Sequence, residues 1–119
     1  MERRLDQRWP ASVDVVLTDL ADPDHTAHGQ IVDVSESGVC VRLPLRVDRG
    51  TIIKLEVGGC ALFGNAIHCC DDSGSYEIGI EIVRVLIGNS DLGRLLNSIL
   101  AGSMPNTPGV TIAAHESAN

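Results

Sequence analysis

The feature that most constrains this chain is a series of short runs in which apolar residues recur at every second position, each run closed by turn chemistry. Val13, Val15 and Leu17 share one side of the first run, with Asp14, Val16 and Thr18 on the other. A period of two is that of a strand with one buried face. The run from Asp19 to His28 holds Asp22-Pro23-Asp24 and predicts a polar loop closing at Gly29. A second strand is expected over Gln30–Val34, and Ser35 to Gly38 reads as a hairpin corner.

The pattern then repeats. Val39, Val41 and Leu43 alternate with Cys40 and Arg42 until Pro44 ends the run, where a ladder donor would be missing. Ile53, Leu55 and Val57 alternate with Lys54 and Glu56, Gly58-Gly59 turns the chain, and Cys60 to Cys70 runs back. Asp71-Asp72-Ser73-Gly74 is another turn, after which Ile78, Ile80 and Ile82 face one way and Glu77, Gly79 and Glu81 the other through Val85. Short strands at near-regular spacing predict an antiparallel barrel or sandwich rather than alternating βαβ units. A barrel also removes exposed edges.

One element differs in period. Leu92, Leu95, Leu96, Ile99 and Leu100 recur at helical spacing, Ser90 is placed to cap, Asp91 suits the first turn and Gly102 the end. The apolar stripe is expected to pack on the barrel or plug its mouth, with a dimer contact as the alternative. With 119 residues, 44% of them hydrophobic, the chain has material for one core and not for two catalytic domains. The expected organisation is a flexible arginine-bearing arm over 1–10, the barrel with its helix over 11–101, and a disordered tail over 102–119.

Charge narrows the partners. The net charge of −7 disfavours long nucleic acid, which a protein normally meets with a broad basic face. Apolar runs are broken early, as at Arg84 after Ile82-Val83, so no bilayer-crossing helix of ~20 residues is expected. The first residues, Met1 to Asp6, carry charge without an apolar segment behind them, so a cytoplasmic location is expected. The cysteines at 40, 60, 69 and 70 show no C-x-x-C spacing, so neither a disulfide framework nor a zinc site is expected; His68-Cys69-Cys70-Asp71 is the weak alternative. Phosphate loops, His-Glu-x-x-His and nucleophile elbows are missing from the sequence, which predicts a binding module rather than an enzyme.

Two constellations carry recognition chemistry. Arg4-Leu5-Asp6-Gln7-Arg8 is an R-x-x-x-R preceded by Arg3, and Asp33-Val34-Ser35-Glu36-Ser37-Gly38 is a D-x-S-x-x-G at a strand end. Each alone is unremarkable: charged termini and turns use these residues routinely. In this order, separated by strand and loop, they resemble the PilZ domain, the bacterial receptor for cyclic di-GMP. The resemblance runs from about Arg3 to Val83, with Gly79 among isoleucines similar to that family's last glycine-containing strand.

The resemblance implies a mainly β fold, an antiparallel six- to seven-stranded barrel with a C-terminal helix, and a site formed by Arg3, Arg4, Arg8, Asp33, Ser35 and Gly38. Guanidiniums suit this ligand, since they fork to phosphate or to guanine O6 and N7 and stack flat on purines. By the same resemblance, Arg4 and Arg8 would close over the dinucleotide and Arg3 would add a phosphate contact. Asp33 would accept from a guanine donor edge, Ser35 would bond nearby, and Gly38 would shape the corner. The implied action is a conformational switch read by a protein partner, with no metal or cofactor, and with one or two dinucleotides bound. The alternatives are a PilZ-like interaction module that acts independently of nucleotide, with Leu92, Leu96 and Ile99 as its contact, and a thiol or metal site around Cys60, Cys69 and Cys70.

Overall fold

Alternation along the chain becomes pairing between strands in the protein's computed structural model, which describes residues 8–87, 91–100 and 112–113. In chain order the elements are β1 (Trp9–Asp19), β2 (Asp22–Ser35), β3 (Gly38–Leu43), β4 (Ile52–Val57), β5 (Cys60–Asp72), β6 (Ser75–Ile87), α1 (Asp91–Leu100) and β7 (Ile112–Ala113). The first six pair antiparallel in a ring. Strand β1 joins β2 and β4, β3 joins β2 and β6, and β5 joins β4 and β6, so each of the six has two neighbours. Closure of this kind gives each of the six strands a partner on both sides over part of its length, although β1 meets β4 only over Val16–Asp19 and β2 meets β3 only over Gln30–Ser35.

Inward positions follow the period-two prediction. Val13, Val15 and Leu17 of β1, Val41 and Leu43 of β3, Ile53 and Leu55 of β4, and Ile78 and Ile80 of β6 form one buried cluster. Helix α1 lies against β6 and β2, and its Leu96 and Ile99 are fully buried in the same core. The expected packing of the stripe is therefore observed. Leu96 and Ile99 are occupied within the chain, which removes them as the partner contact of the nucleotide-independent alternative. Ser90, Gly102 and the side chain of Leu92 lie outside the described residues.

Three boundaries differ from expectation. Strand β1 begins at Trp9, two residues before Ala11. The stretch Asp22–His28, predicted as loop, belongs to β2: Thr26 pairs Thr18, Ala27 pairs Leu17 and His28 pairs Val16. Of these residues only Ala27 is buried, so their polarity records solvent on both faces of a ribbon rather than a lack of strand. The reversal itself is short, with the Ala21 amide donating to Asp19 Oδ1 at 2.9 Å. Third, Ile112 and Ala113 pair in parallel with Ala11 and Ser12, inside the segment expected to be disordered; the rest of 102–119 lies outside the described residues.

Candidate functional site

Two β-bulges decide which side chains reach the outer surface where the site forms. On β2, Ile31 pairs Val41 and Asp33 pairs Cys40, so one extra residue, Val32, stands between successive rungs. In a regular strand Asp33 would share the buried face of Ile31; the bulge turns it outward and returns Val34 to the core. Strand β5 does the same. Ala66 pairs Ile80 and His68 pairs Gly79, with Ile67 extra, so that His68 points out although Ala66 points in. Asp33, Cys40, Gly79 and His68 then form one row across β2, β3, β6 and β5.

This row floors an open cleft of about 210 Å³, walled by Arg8, Ser35, Gly38, Glu77 and Ile67 among others. Arg8 immediately precedes β1, in which Pro10 pairs Asp33. Its guanidinium donates through NH1 to Asp33 Oδ1 at 3.0 Å. The basic arm and the acidic corner, distant by 25 positions in sequence, therefore meet as side chains. Arg8 remains 61% exposed and Asp33 28%, so the pair is accessible and contributes at most about 1 kcal/mol to stability.

The corner is built by Ser35 and Gly38. Ser35 is buried; its Oγ accepts from the Ser37 amide at 3.2 Å and lies 3.0 Å from Ser37 Oγ, which bends the chain through Glu36 and Ser37. Its hydroxyl thus has a structural partner as well as a place on the cleft wall. Gly38 pairs Glu81 of β6, and a Cβ at this position would overlap the Ile80 carbonyl oxygen. The approach of β3 to β6 at this corner requires glycine. Gly79 differs: a Cβ there would run into the His68 imidazole, an exposed side chain, and not into strand backbone.

Among the cleft residues that the sequence reading did not assign to the ligand are Cys40, Glu77 and His68, the last considered there only in the weak metal alternative. Cys40 sits between two carboxylates, and burial first, then Asp33 and Glu77, push its thiol up to about 12. It is neutral at physiological pH. Glu77 Oε2 accepts from Arg42 at 2.5 Å, and the same guanidinium lies 3.6 Å from Asp72. Period-two alternation had placed Glu77 and Gly79 on one face, which was the available signal; the register with β3 and β5 was not in it. Arg3 and Arg4 lie outside the described residues.

A larger cavity of about 390 Å³ lies elsewhere, lined by Leu17, Asp19, His25, Leu45, Arg46 and Asp48 among others. It contains no residue of either motif. Among the described residues, no three His, Cys, Asp or Glu side chains gather as a metal site, and no helix is long and apolar enough to cross a membrane.

A family model for the PilZ domain matches residues 2–98. The chain belongs to the PilZ domain family. PilZ domains are receptor domains for cyclic di-GMP rather than enzymes, and here both PilZ motif segments fall within the matched residues. Among solved structures, the Bacillus subtilis inhibitor of motility MotI/DgrA is similar, with a TM-score of 0.57 and 19% identity over 84% of this chain. The likeness covers 51% of that protein, so this chain spans about half its length, and at this identity it speaks to the fold alone. No curated protein matches the chain.

Proposed function

We propose that this PilZ domain is a cyclic di-GMP receptor that changes conformation when the dinucleotide binds and signals to a protein partner. The observation that carries the reading is the meeting of Arg8 with Asp33 over the Ser35–Gly38 corner in one cleft. Cyclic di-GMP presents two phosphates and, on each guanine, an acceptor edge and a donor edge. Arg8 matches phosphate or the O6/N7 edge, and Asp33 accepts from N1–H and N2–H. Arg4 and Arg3 supply further guanidiniums from the same segment.

Arg8 and Asp33 hold each other in the structure, so ligand binding exchanges one exposed pair for several charge-assisted bonds. Opening such a pair costs at most about 1 kcal/mol, whereas each new charge-assisted bond contributes about 1.5–3 kcal/mol. Several such bonds together offset the opening of the pair and the cost of association, and the exchange moves the residue at the head of β1. That displacement is the conformational signal, and the reshaped surface is what a protein partner reads. A role in controlling motility is compatible with the similarity to MotI/DgrA and is an outcome for a pull-down made with and without cyclic di-GMP.

The direct test is titration calorimetry. Saturable binding of cyclic di-GMP by the wild type is expected, with Arg8→Ala and Asp33→Ala each losing at least about 10-fold in affinity while circular dichroism is unchanged. Equal affinity in both variants would reject the assigned site, and no binding by the wild type would reject the receptor.

A further inference from the structure

A cleft that takes a ligand with two phosphates should not itself be negative, yet two carboxylates, Asp33 and Glu77, stand on its wall. Asp33 has Arg8 beside it. Glu77 is answered from outside. Arg42, its direct cross-strand partner on β3, places NH2 2.5 Å from Glu77 Oε2 without lining the cleft. The third acidic group of the cleft, the Cys40 thiol, is kept protonated by burial and by these carboxylates. In the cleft without ligand, both carboxylates therefore face an arginine and the thiol is uncharged.

We propose that Arg42 is a positioning residue of the dinucleotide site: by pairing with Glu77 it cancels a negative charge on the cleft wall and holds that carboxylate back, and so admits a doubly anionic ligand. This rests on the receptor reading above. The Arg42 side chain is 44% exposed and that of Glu77 32%, so the pair contributes little to folding. Its effect falls on the field inside the cleft, where like-charge juxtaposition opposes association. Asp72, 3.6 Å from the same guanidinium, steadies Arg42 in the pose that meets Glu77.

The test is a double-variant cycle read by calorimetry with cyclic di-GMP on Arg42→Ala, Arg42→Gln, Glu77→Gln and Arg42→Ala/Glu77→Gln, each checked by circular dichroism. Arg42→Ala and Arg42→Gln are expected to weaken binding about 5- to 10-fold by exposing Glu77. Glu77→Gln is expected to bind as tightly as the wild type or tighter, and the double variant to return to within about twofold of Glu77→Gln. Arg42→Gln retains the aliphatic stem and separates charge from packing. The deficit of the Arg42 variants should also shrink as salt is raised from 0.05 to 0.5 M, because screening shortens the reach of the exposed carboxylate, an effect that a merely structural role would not produce. Arg42 variants that bind like the wild type, or a double variant as weak as Arg42→Ala, would overturn the inference and leave the receptor reading intact. Loss of binding in Glu77→Gln would overturn it in favour of direct guanine recognition by Glu77. A wild type that binds no cyclic di-GMP would overturn the receptor reading and this inference together.

Discussion

Two hollows on one barrel differ in a way that volume alone would misjudge. The larger, about 390 Å³, lies against the β1–β2 ribbon and the segment after β3. Its walls combine apolar side chains with Asp19, a His25 already paired to Asp22, and an Arg46 whose Nε lies 3.9 Å from Asp48. The smaller, about 210 Å³, has a glycine-made floor, one guanidinium, and two carboxylates each held by an arginine. Recognition of a polar anion depends on convergent donors with neutralised acids, not on empty space. The proposed site is the smaller hollow because Arg8, Asp33, Ser35 and Gly38 converge on it and none of them lines the larger.

The comparison can be broken most severely at Gly38. Gly38→Val is expected to destabilise the protein by about 3 kcal/mol or more, measured by urea unfolding, because its side chain meets the backbone of β6. Gly50→Ala, at φ +91° with open space around it, is expected to lose only about 1 kcal/mol. Equal losses at the two positions would show that the corner is not a steric requirement. Next in size is a swap of acids. Asp19→Ala and Asp48→Ala in the larger hollow should leave cyclic di-GMP affinity within about twofold of wild type, against the 10-fold loss expected for Asp33→Ala. A loss at Asp19 comparable with that at Asp33 would place the ligand in the wrong hollow.

The smallest effects concern Cys40. At pH 8, iodoacetamide should modify the exposed Cys70 well before Cys40, whose thiolate is suppressed; mass spectrometry of the modified peptides checks the order. The same shift has a thermodynamic sign. The folded thiol titrates near 12, against an ordinary 9.0, so between these values the unfolded chain has lost a proton that the folded chain retains. Its contribution to stability is complete below pH 9 and is lost as pH rises toward 12. Unfolding measured from pH 8 to 11 should fall less steeply in Cys40→Ala than in the wild type; parallel curves would mean that the thiol is not suppressed.

Much of this was legible in the sequence, for identifiable reasons. The inward residues of β1, β3, β4 and β6 announced themselves by alternation because each of those strands has one face on the core. Asp22–His28 did not, since a ribbon wetted on both faces has no apolar period to read. Arg8 and Asp33 were legible only as a joint pattern, and their contact depends on the pairing of Pro10 with Asp33 across β1 and β2. The bulges at Val32 and Ile67 were illegible. A single extra residue leaves local composition unchanged, yet it decides whether Asp33 and His68 face the cleft or the core. Glu77 and its Arg42 were missed because their adjacency is a matter of register between β3 and β6, separated by 35 positions.

Trp9, the only tryptophan of the chain, is 4% exposed and its indole N–H has no hydrogen-bond partner among the described residues. Its backbone neighbour is the arginine that meets Asp33. An indole held in a dry wall responds in emission colour and intensity to small changes in packing or water, so the protein carries a native optical gauge one peptide bond from its proposed switch. Occupancy of the cleft would then be visible in the unlabelled molecule, without dye, tag or substitution.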